Sequence, residues 1–345
     1  MKPLPSEDLE HIFNHTLPLW ERVRGRRIFI SGGTGFFGAW LLESLIYCNR
    51  KLSLDLSATV LTRNPDAFTG RMPHLAGDST IELLCGDVGD FDFPAANFEF
   101  VLHAAVATSA DAGQKPSELL STLIKGTERV LELARTHGTR KFLFVSSGAV
   151  YGKQPEHLSH IPENYLGGPD WLDPSAAYGE GKRIAELLCL LAARAAGFDL
   201  AIARCFAFVG PHLPLDQHFA IGNFIADALA GRNIAVRGDG TAMRSYLYAA
   251  DLAIWLWTML LSESELSQSV VLNVGSGEAI SISDLAKLAV DELNPSLHVE
   301  IAQKPAAGAA RAQYVPNVEK ARSVLGLHPT ISLREAVRRT ADWYR

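Results

Sequence analysis

Three residues, Ser147, Tyr178 and Lys182, carry the chemistry this sequence could do. Tyr178 and Lys182 stand four apart in AAYGEGKRIAELL, a helical pattern, so their side chains share one helical face. An ammonium beside a phenol favours phenolate and lowers the phenol's pKa. A tyrosine tuned in this way can pass a proton to or from a substrate oxygen. Ser147 closes the apolar run KFLFVSS, where a hydroxyl at a strand's carboxyl end can hydrogen-bond the same oxygen. The two residues that follow it, Gly148 and Ala149, have no titratable group.

Such a set needs a rigid frame. RRIFISGGTGFFGAWLLESLIY reads as a short apolar strand, a glycine-rich turn and a helix. The turn holds Gly32-x-x-Gly35-x-x-Gly38, with Thr34, Phe36 and Phe37 between the glycines. The first glycine permits the tight turn, the second admits a pyrophosphate against the backbone, and the third lets helix and strand pack closely. The helix N-terminus then presents free N–H groups to the phosphates. A nicotinamide dinucleotide is the expected ligand, and it would supply or take the hydride that accompanies a proton at Tyr178.

The second strand, SATVLTRNP, ends in Thr62-Arg63, with no carboxylate to bind a ribose 2′-hydroxyl. A guanidinium there can grip a 2′-phosphate, so the reading favours NADP, with NAD as the alternative in which Arg63 stacks on adenine. Asp87 and Val88, after IELLCG, and Ala104 and Ala105, after FEFVLH, are placed to line the same edge.

Further strands are expected in KFLFVSS and LAIARCFAFVG, with helices such as SELLSTLIKGTERVLELARTHG between them. Strands alternating with helices mean βαβ units and a mostly parallel sheet. The expected organisation is an N-terminal helical extension over 1–25 and a doubly wound Rossmann domain over 26–205. A smaller, partly interleaved α/β substrate domain is expected over 206–345.

Among the 345 residues, 48% are hydrophobic and 20% charged, as in a soluble globular protein. A net charge of −6 leaves no basic footprint for nucleic acid. No apolar run reaches the roughly 18 residues of a membrane span, and MKPLPSEDLE has no secretory core. The four cysteines lack paired spacing, as expected of free thiols in a reducing compartment, and the location expected is cytoplasmic. His11 and His15 lack a third ligand nearby, and no metal is expected.

SGGTGFFG, GDV, HAAV, VSSGAVYG, YGEGK and RGDGTAMRSYLYAADLA resemble, in that order, the extended short-chain dehydrogenase/reductase family of nucleotide-sugar epimerases, dehydratases and reductases. The resemblance runs over roughly residues 26 to 345, with YVPNVEKARSVLGLHP similar to the family's C-terminal pattern. It implies that Ser147, Tyr178 and Lys182 are catalytic and that Arg244 binds a substrate diphosphate. Ser146, Thr108 and Asn223 become candidates to line the substrate pocket. It also implies a homodimer, formed through the helices holding Thr127–His137 and Ile184–Ala196.

Dehydratases of this family resemble Asp-Glu at the two positions after the catalytic hydroxyl, and related decarboxylases resemble a glutamate at the second. Gly148 and Ala149 leave no acid or base for elimination unless another loop supplies one, such as Glu163 or Asp173. Ala207 stands where the family has a substrate-contacting asparagine, Leu123 where another asparagine is common, and Ser245 where an aspartate is usual. The function expected is hydride transfer at C4 of a nucleotide-sugar by a 4-ketoreductase. The alternatives are a 4-epimerase with retained NAD, then a 4,6-dehydratase or a cofactor-sensing protein without catalysis.

Overall fold

The computed structural model describes residues 1–105, 115–217, 219–263, 269–306 and 311–345. The chain begins with α1 (Ser6–Thr16) and a 3-10 turn (Leu17–Val23), then β1 (Arg27–Ser31) and α2 (Phe36–Leu52). There follow β2 (Ser57–Thr62), α3 (Pro65–Arg71), α4 (Pro73–Ala76), β3 (Ile81–Cys85) and β4 (Phe100–His103). After these come α5 (Pro116–Thr136), β5 (Lys141–Ser147), α6 (Ala177–Ala196) and β6 (Asp199–Cys205).

These six strands and Ser269–Val274 form one sheet in the order 269–274, β6, β5, β4, β1, β2, β3. The pairs β3–β2, β2–β1, β1–β4 and β4–β5 run parallel. This is the doubly wound Rossmann sheet expected from the alternating apolar runs. The chain leaves β1 toward β2 and β3, then returns to add β4 on the other side. That reversal opens a crevice at the carboxyl ends of β1 and β4, where ligands bind in such sheets.

Local signals explain the helix boundaries. Asn64 caps α3 by accepting from the Ala67 amide at 2.9 Å, with Pro65 at the first helical position. Gly197 ends α6 at φ +80°, a left-handed position that costs glycine nothing. The core around the sheet holds Phe29, Phe98, Val101, Val130, Leu133, Phe142, Phe144, Ala185 and Cys189. In the N-terminal segment, Ile12, Trp20 and Val23 are buried. The Trp20 indole donates to Thr16 at 2.9 Å and packs on Trp257 at 5.2 Å.

Contacts divide the chain into two units. The first comprises residues 1–150, 168–204 and 253–272, and the second 151–167, 205–252 and 273–345. The second unit holds short strand pairs, a three-stranded sheet with Met243–Arg244 at its centre, and the helices Ala220–Leu229, Ile282–Leu293, Glu319–Leu325 and Leu333–Tyr344. Within it, Tyr151 donates to Asn273 at 2.7 Å, and buried Asp251 accepts from the Thr330 and Ile331 amides. Among the described residues, no helix is long and apolar enough to cross a membrane.

Candidate active site

The glycine turn is shaped by contacts no other residue would allow. Gly32 has φ +79°, and a Cβ there would lie 2.4 Å from the Ala104 carbonyl carbon and 2.5 Å from the Ala105 nitrogen. A Cβ on Gly38 would lie 2.1 Å from the Gly33 carbonyl, so α2 could not seat against the turn. Gly35 differs: a Cβ there would meet only the Gly32 carbonyl, at 4.0 Å. The space over Gly35, at the N-terminus of α2, therefore suits a pyrophosphate approaching the backbone. Phe36 and Phe37 open α2 edge to face, 5.8 Å apart. The Thr34 carbonyl accepts a hydrogen bond from Arg71 of α3.

The other residues assigned to the dinucleotide lie along the same strand ends. Ala104 and Ala105 follow β4 and donate to the Ser31 carbonyl at 3.0 Å and the Ser31 hydroxyl at 3.3 Å. Asp87 accepts from the Gly89 amide at 2.9 Å and so shapes its own turn, while Val88 fills the space beside Gly126. Arg63 is exposed at the end of β2.

Ser147 ends β5 and is buried. Its oxygen accepts from the Ala149 amide at 3.1 Å, a bond that leaves the hydroxyl hydrogen available to a ligand. Tyr178 is the second residue of α6 and half-buried; Lys182, one turn on, is buried. The Lys182 ammonium donates to the Val145 carbonyl at 2.6 Å and lies 4.7 Å from the Phe144 ring centre. The lysine is therefore fixed to β5 two residues before Ser147, and one strand end and one helix turn position the set.

Two glycines let α6 seat closely against its neighbours. A Cβ on Gly179 would lie 2.6 Å from the Ala149 carbonyl oxygen and 2.7 Å from Pro169. A Cβ on Gly181 would lie 2.6 Å from Leu123 of α5. Glycine inside a helix costs about 1 kcal/mol against alanine, so YGEGK carried a readable sign of close approach. Leu123, standing where an asparagine is common, packs here as a buried apolar neighbour.

Ser146 is placed differently from the pocket role expected of it. Its hydroxyl donates to Glu186 at 2.6 Å, and Arg204 grips the same carboxylate at 2.6–3.2 Å. This trio, with Ser146 and Glu186 buried and Arg204 half-buried, ties β5 to α6 and β6. Asn223 lies half-buried in the helix Ala220–Leu229, and Arg244 donates to the Met243 carbonyl at 2.8 Å, both within the second unit. Thr108 lies outside the described residues.

The two loop carboxylates considered as substitute acids are engaged. Asp173 accepts from the Ser175 hydroxyl at 2.6 Å and amide at 2.8 Å, which hold its carboxyl below the ordinary range. Glu163 accepts from the Asn273 amide at 2.8 Å. Among the described residues, no cluster of His, Cys, Asp and Glu could hold a metal ion.

A glycine turn at the sheet's switch point, a serine at the end of β5 and a tyrosine and lysine at the start of α6 are the groups a dinucleotide-dependent oxidoreductase would need. The chain belongs to the NAD dependent epimerase/dehydratase family, whose pattern it matches over residues 28–275. It is 30% identical to UDP-glucuronic acid decarboxylase 1 of Xenopus tropicalis, over 98% of this chain and 77% of that protein. It is 31% identical to UDP-glucuronic acid decarboxylase 3 of Arabidopsis thaliana, over 90% and 86% respectively. A crystal structure of UDP-galactose 4-epimerase is similar with a TM-score of 0.70 at 26% identity, covering 92% of this chain and 98% of that one. MoeE5 in complex with UDP-glucose and NAD gives a TM-score of 0.72 at 25% identity and the same coverage. The relatives are nucleotide-sugar enzymes.

Proposed function

We propose that this chain transfers a hydride at C4 of a nucleotide-linked hexose, working as a 4-ketoreductase. The observation that carries this reading is the strand end Ser147-Gly148-Ala149 set against Tyr178 and Lys182. It offers groups for one proton and one oxyanion, and no carboxylate at the two positions directly after Ser147. The nicotinamide, when bound, supplies the hydride. Tyr178 gives its proton to the C4 oxygen, Ser147 orients that oxygen with its free hydrogen, and the Lys182 ammonium favours phenolate. Gly32, Gly35 and Gly38 would hold the pyrophosphate, and Arg244 the substrate diphosphate.

Decarboxylation, the activity of the relatives at 30–31% identity, is not carried over. Ala149 stands where the resemblance places a glutamate, and Asp173 and Glu163 are otherwise engaged. A 4-epimerase is the second reading, supported by the likeness to UDP-galactose 4-epimerase and to NAD-bound MoeE5. The exposed Arg63 and the lack of a carboxylate at the end of β2 support the reductase, which exchanges NADPH at each turnover. The exposed face of α6, with Ile184, Leu187 and Leu191, supports association with a second copy.

The test is to denature the purified protein and identify the nicotinamide released. An empty protein that then binds NADPH more tightly than NADH fits the reductase. Near-stoichiometric NAD, retained through purification, overturns it in favour of the epimerase.

A further inference from the structure

Beneath the dinucleotide crevice a hydrogen-bonded chain crosses the switch point of the sheet. His103, the last residue of β4, is fully buried, with its ring 5.5 Å from that of Phe144. Its Nδ1 lies 2.6 Å from the Ser31 hydroxyl, at the end of β1. Its Nε2 lies 3.3 Å from the Thr127 hydroxyl, on α5.

The partners fix the tautomer. Thr127 donates its one hydroxyl hydrogen to the Leu123 carbonyl at 2.7 Å, so its oxygen can only accept, and Nε2 must carry the ring proton. Nδ1 is then a bare acceptor, and Ser31 donates to it. The Ser31 oxygen accepts in turn from the Ala105 amide at 3.3 Å. The chain thus runs from the loop after β4, through the end of β1 and the imidazole, into α5, with every donor pointed one way.

We infer that His103 is a positioning residue that locks the carboxyl ends of β1 and β4 together over α5 and so sets the width of the dinucleotide crevice. The ends it locks are those where Gly32 approaches Ala104 and Ala105 so closely that a Cβ would fall 2.4–2.5 Å from their backbone atoms. Relaxing them moves the turn that cradles the pyrophosphate. Lys182 and His103 both pack on Phe144, and the Lys182 ammonium is held by the Val145 carbonyl at 2.6 Å. The effect therefore falls on dinucleotide affinity more than on the proton at Tyr178. The inference rests on the reading that this crevice binds a nicotinamide dinucleotide.

Calorimetric titration of the full chain with NAD, NADH, NADP and NADPH tests it, using the tightest ligand for the variants. His103→Phe fills the space without either bond and is expected to weaken binding about tenfold or more. Ser31→Ala removes one oxygen, keeps the imidazole, and carries the test if His103→Phe does not fold; it is expected to weaken binding severalfold. His103→Asn places an amide oxygen near the position of Nδ1, where it can still accept from Ser31. It is expected to restore much of the affinity, and His103→Gln less. In turnover, KM for the dinucleotide should rise by a larger factor than kcat falls.

The inference is overturned if His103→Phe and Ser31→Ala bind as the unaltered chain does, or if His103→Asn binds no better than His103→Phe. An unaltered chain that binds none of the four dinucleotides overturns the proposed function and this inference with it. Binding by the unaltered chain, matched by the variants, overturns the inference alone.

Discussion

Gly179→Ala adds one methyl at the point where α6 meets the Ser147 turn. That methyl carbon would start 2.6 Å from the Ala149 carbonyl oxygen and 2.7 Å from the Pro169 ring. A carbon next to an oxygen settles nearer 3.2 Å, so the first turn of α6 must retreat by about half an ångström. Tyr178 is the adjacent residue and moves with it. A misplacement of about 1 Å costs roughly a hundredfold in a positioned reaction, so about half of that costs about tenfold in kcat. Stability should fall by ~0–2 kcal/mol, because the ~1 kcal/mol alanine gains as a helix former only partly offsets an overpacking cost of ~1–3 kcal/mol. The assay is single-turnover oxidation of the reduced nicotinamide by a 4-keto nucleotide-sugar, with dinucleotide affinity measured alongside. Gly70→Ala is the control, since a Cβ there meets nothing within 4 Å. If Gly179→Ala reacts within about twofold of the unaltered chain, or Gly70→Ala slows it equally, close approach at residue 179 does not position the tyrosine.

Tyr178→Phe removes the proton donor and should lower kcat by about 10²–10⁴ with dinucleotide affinity nearly kept; unchanged turnover would remove Tyr178 from the chemistry. Burial, and then the charge of Lys182, lowers the His103 pKa from 6.5 to about 3. The folded imidazole therefore stays neutral where the unfolded one gains a proton. Its stabilising contribution is complete above about pH 6.5 and is lost as pH falls toward about 3, amounting to ~2 kcal/mol between pH 7 and pH 5. Urea unfolding should accordingly show the stability gap between the unaltered chain and His103→Asn shrinking by that amount from pH 7 to pH 5; a constant gap would contradict it. Leu187→Glu, on the exposed face of α6, should convert a dimer to monomer in sedimentation velocity. A chain already monomeric at micromolar concentration would contradict association through this face.

The elements of the nucleotide-binding half were legible because each carries a local signature. RIFIS is a short apolar run, SGGTGFFG sits between it and a helix, and YGEGK starts a helix at a spacing that aligns phenol and ammonium. Long-range partnership was not legible. Nothing local in SVVLNV says that it joins the sheet beyond β6. Ser146 and Ser147 look equivalent in the sequence, but alternation along β5 turns one hydroxyl toward Glu186 and leaves the other at the strand end. His103 reads as a polar residue closing an apolar strand, and its partners, Ser31 and Thr127, lie 72 and 24 residues away. Gly179 and Gly181 were visible as glycines in a helix, but what they approach depends on Ala149, Pro169 and Leu123.

The most direct test of the account is where the hydride goes. The protein would be supplied with a 4-keto nucleotide-hexose and a reduced nicotinamide deuterated at its transferring position, and the product read by proton and deuterium NMR. Deuterium is expected at C4 of the sugar, with the C5 hydrogen and the C6 group unchanged. Deuterium absent from C4, or loss of water or of C6 from the product, would contradict it.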